Sequence, residues 1–292
     1  MRIAARRLEQ RGIDTSSLDA EVLMRHLLAL DRTSYLLRRN ERLPEGVSDQ
    51  YAQLIEQRLQ GASVAYLTGT REFLGMPFAV GPGVLVPRPE TELLVEWGAA
   101  WLVGRSRALA VDVGTGSGAI AIGLSALAPP ETLRGVIAVE PSLDALRWAN
   151  TNRSRLAPHR AIDFVRGSLV SALSGPIDLV LANLPYLTPE QREENSALAA
   201  EPRSALISGS DGLDLIRALM ADLPRVLAPN GAAIFELDPS QADIVAELAH
   251  AAFADAAISI LADLAGLARC VTIDRKRSEH REDSDGGHSR FT

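Results

Sequence analysis

The sequence predicts an α/β fold, a mostly parallel sheet preceded by a small helical segment. Three observations predict it. From about residue 108 onward, short apolar runs bounded by turn residues alternate with helical stretches. The first of these runs leads directly into a glycine-rich loop and a second helical run, Ala108 to Gly118 and then Ala119 to Ala128. The first sixty residues, in contrast, carry helical periodicity only.

Residues 1–63 read as a helical unit. Leu18, Val22, Leu23, Leu27, Leu28 and Leu30 recur at helical spacing, with Ser16 or Ser17 placed to cap the start. Tyr51, Leu54, Ile55 and Leu59 form a second series that closes at Gly61. Such a bundle either packs or grips a partner, and periodicity does not separate the two. Residues 64–89 change character. Arg71 to Val80 predicts a hairpin with Gly75 and Pro77 near its turn. Val84 to Glu92 reads as a linker over the mouth of the main domain, in which Pro89 suits a helix start and Glu90 and Glu92 suit its positive end.

The main domain, residues 90–275, continues with strands expected at Ala108–Val113, Gly135–Val139 (ending in Glu140), Ala161–Val165, Ile177–Ala182, Ala232–Glu236, Ile258–Leu261 and Cys270–Ile273. Helices are expected at 142–155, 211–227 and 239–254. Residues 276–292 are polar and aperiodic, and read as a disordered tail without a function.

Composition narrows the function classes. Hydrophobic residues make up 47%, enough for a sizeable core. The net charge of −7 argues against a broad basic face for nucleic acid, and the first sixty residues hide no basic arm. Lys276 is the only lysine, which with abundant alanine reads as genome composition. Cys270 is the only cysteine, so no intrachain disulfide forms and a metal cluster is not expected. No apolar run reaches membrane-spanning length, and Met1 to Arg7 lacks the apolar core of a signal peptide. A cytoplasmic monomer that touches no membrane is the expectation.

Two motifs carry chemistry. Asp112 precedes Gly114-Thr115-Gly116-Ser117-Gly118, whose glycines permit a tight turn and close approach of a ligand to backbone N–H groups. Glu140, at the end of the next strand, can accept hydrogen bonds from both hydroxyls of a ribose. The second motif is Asn183-Leu184-Pro185-Tyr186, which closes the apolar run Ile177–Ala182. It sets an amide, a backbone carbonyl and an aromatic ring at a sheet's carboxyl edge. Pro185 fixes its own φ and holds Leu184 extended, which aims the Leu184 carbonyl outward. Two acceptors and a ring suit a planar nitrogen with two N–H groups, such as an amide or an aromatic amine. On its own the tetrapeptide would read as an Asx-Pro turn. The glycine loop could serve NAD or S-adenosylmethionine. For NAD the third glycine normally falls later, and no histidine lies close in sequence to either motif. Methyl transfer fits both motifs.

At these residues the chain resembles the release factor glutamine methyltransferases, which methylate the side-chain nitrogen of a protein glutamine. The matching segments are Ala65-Tyr66-Leu67-Thr68-Gly69 through Glu92, Asp112 to Gly118, Asn183 to Tyr186, Glu201-Pro202-Arg203 with Asp211-Gly212-Leu213-Asp214, and Asp263-Leu264-Ala265-Gly266 with Arg269. The resemblance implies a class I S-adenosylmethionine-dependent methyltransferase, Rossmann-like with a seven-stranded sheet. Its helical N-terminal domain would recognise the substrate, and its partners would be peptide chain release factors bearing a GGQ motif, in translation termination. It implies that Asp112, Gly114, Thr115, Gly116, Ser117, Gly118, Glu140, Ser168, Leu169 and Asn183 serve the cofactor. Asn183, Leu184, Pro185 and Tyr186 would hold the glutamine, with Asn183, Pro185 and Tyr186 the catalytic set and no metal. Three positions depart from the family pattern. Leu184 stands where the family has the first proline of Asn-Pro-Pro-Tyr, Ser168 where it usually has an acid, and Glu236 to Gln241 lacks an expected glycine. A ribosomal-protein glutamine, an adenine amine of nucleic acid, and a non-catalytic cofactor-binding relic stay open as alternatives.

Overall fold

The structure is a computed structural model and describes residues 1–275; the tail reading for 276–292 lies outside the described residues. Five helices lead: α1 (Arg2–Gln10), α2 (Ser16–Leu28), α3 (Arg32–Arg38), α4 (Val47–Leu59) and α5 (Val64–Thr68). Leu8, Leu23, Tyr35, Tyr51 and Ile55 pack into a core of their own. The Tyr51 hydroxyl donates to the Ala20 carbonyl at 3.0 Å, and Arg58 pairs with the buried Asp19 at 2.7 Å, so α2 and α4 are tied by polar bonds as well as by apolar contact. The cap of α2 is Thr15, without a side-chain bond; Ser16 already lies inside the helix and is buried. α1 and α3 carry no long apolar series, and they fold because Leu8 and Tyr35 find partners on other helices.

β1 (Thr70–Phe73) and β2 (Met76–Ala79) form the hairpin. Leu74 and Gly75 both have positive φ, the two-residue turn that matches strand twist. The turn is pinned by Glu92, which accepts the Leu74 N–H at 2.7 Å. Glu92 opens α6 (Glu92–Trp101) directly after a 3-10 turn, Pro89–Thr91.

The large sheet contains β3 (Ala108–Val113), β4 (Leu133–Glu140), β5 (Ile162–Arg166), β6 (Ile177–Ala182), β7 (Leu227–Glu236), β8 (Ala257–Ala262) and β9 (Ala268–Asp274), in the order β5-β4-β3-β6-β7-β9-β8. Only the pairings made by β9 are antiparallel. The helices that follow α6 are α7 (Ala119–Leu127), α8 (Leu143–Leu156), α9 (Pro189–Glu194), α10 (Asp214–Val226) and α11 (Ala242–Ala252). One apolar cluster joins the sheet to α6 and α7, another joins it to α10 and α11, so both faces are covered.

Several boundaries differ from expectation, and one helix is added. β7 begins at Leu227, not Ala232, because Pro229-Asn230-Gly231 is drawn into the strand opposite a register irregularity between Ile177 and Leu179. α10 starts at Asp214 because Asp211-Gly212 is spent on a turn. Gly212 has φ +78, and a Cβ there would stand 2.1 Å from the Tyr186 carbonyl oxygen. α9 was not expected at all; Thr188 and Gln191 build its capping box.

One register detail places the site. Val139, Val113, Ala182 and Phe235 lie side by side across four parallel strands. The next residues along each chain, Glu140, Gly114, Asn183 and Glu236, therefore leave the carboxyl edge of the sheet together.

Candidate active site

The loop after β3 is shaped from below. Asp112 is fully buried and accepts hydrogen bonds from the Thr115 hydroxyl at 2.5 Å and the Ala121 N–H at 3.0 Å through the same oxygen. Among the described residues its Oδ1 has no hydrogen-bond partner, and burial pushes the carboxyl up to about 7 against the pull of those two bonds. Gly114 has φ +76, and a Cβ there would come within 3.2 Å of Leu184 Cδ2. The two motifs are thus in contact, which is why a side chain at 114 would intrude on the Asn183–Tyr186 turn.

Glu140 is 8% exposed. Its Oε2 accepts the Gly116 N–H at 3.0 Å and its Oε1 the Ser142 N–H at 2.9 Å. Burial raises its pKa, opposed by these two bonds. Each oxygen retains acceptor capacity toward a ligand. The linker is welded to this corner by Asn152, whose side chain accepts the Ala79 N–H at 2.7 Å and donates to the Ala79 carbonyl at 3.0 Å and the Ser117 carbonyl at 2.9 Å.

Two cavities open here. One, of about 330 Å³, is lined by Gly114 to Ser117, Glu140, Ser168, Leu169, the linker from Gly83 to Thr91, and Asn183 to Pro185. The second, of about 260 Å³, is lined by Asn183 to Leu187, Arg88, Glu90, Glu236, Asp238 and Arg269. They share Leu85, Arg88, Asn183, Leu184, Pro185 and Ala205. Of the residues expected at the cofactor, Asp112 and Gly118 do not line the first cavity: Asp112 stands behind the loop and Gly118 packs against Ile122 and Ala149. Of these two cavities, Tyr186 lines the second and not the first.

In the shared wall Asn183 Nδ2 donates to the hydroxyl of Thr91, a residue of the first cavity, at 2.9 Å, which leaves its Oδ1 as an acceptor. The Tyr186 hydroxyl donates to Glu236 at 3.4 Å, and burial beside Glu236 raises its pKa, so the phenol keeps its proton. Sequence reasoning assigned no role to Thr91, Arg88 or Glu201. Glu201 is buried, accepts the Val86 N–H at 3.0 Å and pairs with Arg88, strapping the linker across both cavities. Among the described residues, no group of three or more His, Cys, Asp or Glu is placed to hold a metal ion, and no helix is long and apolar enough to cross a membrane.

The strand order, the glycine loop on β3 and the acid that ends β4 define a class I methyltransferase. In fold the chain is similar to the hMettl16 catalytic domain solved with a MAT2A 3'UTR hairpin, at a TM-score of 0.56 and 16% identity over 77% of this chain and 83% of that one. The family model of the PrmC N-terminal domain matches residues 1–69. The release factor glutamine methyltransferase of Deinococcus radiodurans is 36% identical, covering 83% of this chain and 86% of its own. That of Bradyrhizobium diazoefficiens is 37% identical, covering 93% and 92%. The chain belongs to the release factor glutamine methyltransferase family.

Proposed function

We propose that the protein methylates the side-chain amide nitrogen of a glutamine in peptide chain release factors, with S-adenosylmethionine as donor. The observation that carries this reading is the wall shared by the two cavities, Asn183 to Pro185. A methyl group passing between two bound molecules needs such a junction, with an acceptor for N–H groups on it. S-adenosylmethionine supplies an electrophilic methyl group. Glu140 accepts the ribose hydroxyls, and the loop Gly114 to Ser117 lies against the donor with Ser168 and Leu169 on the far wall. Asn183 Oδ1 and the Leu184 carbonyl accept the two N–H groups of the glutamine, and the Tyr186 ring sets its plane. The scheme uses no metal.

The helices of residues 1–63 take the part of the substrate-recognition domain, 64–89 the linker, and 90–275 the catalytic domain. The activity for which the relatives are named supports a release factor as substrate, and the cytoplasm is the compartment that goes with that reading. Labelled S-adenosylmethionine offered with purified release factor, ribosomes and DNA separately tests the reading. Label on a release factor glutamine is expected, and label on ribosomes or DNA alone would overturn it. Asn183→Ala removes one aligned bond to the reacting group, and such losses typically cost about 10²–10³ in rate. Turnover should fall by that order with cofactor affinity little changed.

A further inference from the structure

The link between β8 and β9 has no task in the scheme above. It runs from Asp263 to Leu267 and stands at the sheet edge that carries the site. Glu236, at the end of β7, lies opposite Cys270 of β9, and the Leu237 N–H donates to the Arg269 carbonyl at 3.0 Å. Arg269 lines the second cavity, and its Nε donates to the Asp263 carboxylate at 2.8 Å. The turn therefore begins one side chain away from the wall of that cavity.

What this turn presents is apolar. Leu264 is fully exposed and Leu267 about half exposed. From Ala262 to Ala268 the only charged residue is Asp263, and its charge is paired with Arg269. The backbone is also cross-braced. Asp263 Oδ1 accepts the N–H groups of Ala265 at 2.9 Å and Leu267 at 3.0 Å. The Asp263 N–H donates to the Leu267 carbonyl at 2.9 Å, and the Asp263 carbonyl accepts the Gly266 N–H at 2.9 Å. Gly266, at φ +79, supplies the left-handed step that closes the turn. Leucines exposed singly over a surface are ordinary. Two of them on one braced turn beside a cavity are contact area whose ordering is already done, and such preorganisation lowers the cost of association.

We propose that Leu264 and Leu267 dock an apolar patch of the acceptor protein, next to the glutamine that enters the second cavity. The proposal rests on that cavity being the acceptor site. Continuity and charge identify the occupant. The turn is anchored to Arg269 of the cavity wall, so a protein that sends a glutamine to Asn183 comes to rest on this rim. A tip without free charge offers nothing to phosphate groups, so the surface it fits is an apolar protein patch.

The test is steady-state methylation over a range of release factor concentrations, with cofactor affinity read by calorimetry. Leu264→Asp and Leu264→Ser remove the apolar group from a side chain that packs on nothing, and Leu264→Met keeps it. Full burial of a leucine corresponds to roughly a ten- to hundredfold change in binding. Leu264→Asp and Leu264→Ser should raise KM for the release factor on that scale, with kcat and cofactor affinity within about twofold of wild type. That split marks a contact made equally in the bound complex and in the transition state. Leu264→Met should keep the wild-type KM. A KM within twofold of wild type in both polar variants would overturn the proposal. So would a fall in kcat at constant KM, which would mean that the turn acts by shaping the site. Sedimentation of the free protein, alone and with vesicles of phosphatidylcholine with or without phosphatidylglycerol, covers the other occupants. A dimer or a vesicle-bound form that Leu264→Asp releases would overturn the proposal by assigning the leucine to a second copy or to lipid. If Asn183→Ala is inactive while KM in the Leu264 variants is unchanged, this proposal alone fails. Full activity in Asn183→Ala would instead remove the reading of the acceptor site beneath it.

Discussion

Glu140→Gln is the sharpest test of how the first cavity holds its ligand. Both carboxylate oxygens already accept a backbone N–H, from Gly116 at 3.0 Å and Ser142 at 2.9 Å. A glutamine offers one oxygen and one NH₂, so its NH₂ must face one of those two donors. An unsatisfied buried donor costs about 1–3 kcal/mol, and that loss falls on the unliganded protein, as a lower melting temperature. A ribose hydroxyl loses its charged acceptor as well. Hydrogen bonds to a charged group contribute about 1.5–3 kcal/mol, which at about 1.4 kcal/mol per decade is roughly a ten- to hundredfold rise in dissociation constant. Titration calorimetry with S-adenosylmethionine reads the second effect, and a thermal melt of the free protein reads the first. A dissociation constant within twofold of wild type, in a variant that melts normally, would refute the assignment of Glu140 to the ribose.

Leu184→Pro tests whether the departure from the family's second motif matters. No hydrogen bond of the Leu184 N–H is found among the described residues, so proline removes none, and single-turnover methylation should hold or rise; a loss beyond tenfold would show that the Leu184 side chain packed on Gly114 is what counts. Asp112 should give the apo protein an inverted acid response. Its carboxyl has a pKa of about 7 when folded against 3.8 when free, so between those values the folded chain holds a proton that the unfolded chain has released, and stability falls as pH rises through the window. Asp112→Asn removes that term, and the drop in melting temperature from pH 5.5 to 7.5 should shrink in the variant; a steeper drop would contradict the burial argument.

How much of the fold was legible depended on where each strand lies. Ile177–Ala182 sits between two parallel neighbours with both faces covered, so nearly every side chain is apolar and the run declares itself. Leu227–Glu236 is equally buried, yet its first half was missed. Pro229-Asn230-Gly231 carries turn chemistry, and only the close approach of the Ile177 and Asp178 carbonyls to Gly231 shows why a glycine stands in a strand there. The short helices α1 and α3 were invisible for a different reason. Their stability comes from burial of Leu8 and Tyr35 against helices elsewhere in the chain, which no local window contains.

The site divides along the same line. Glu140 and Asn183 were legible because each ends a strand whose apolar run could be read, and the end of a parallel strand is where a ligand is expected. Glu236 also ends a strand, but its importance depends on which strand lies beside which. Once β7 is known to pair with β6, Ala182 opposite Phe235 puts Asn183 and Glu236 next to each other at the sheet edge. Thr91 then reaches Asn183 from a 3-10 turn 92 residues away in sequence. Nothing in Pro89-Glu90-Thr91 distinguishes that hydroxyl from an ordinary helix-start threonine. Its place shows only in the folded chain, where it is 4% exposed and accepts the Asn183 Nδ2–H at 2.9 Å. Spacing can reveal which residues leave a strand, whereas the partner that orients one of them, as Thr91 does Asn183, arrives from elsewhere in the chain.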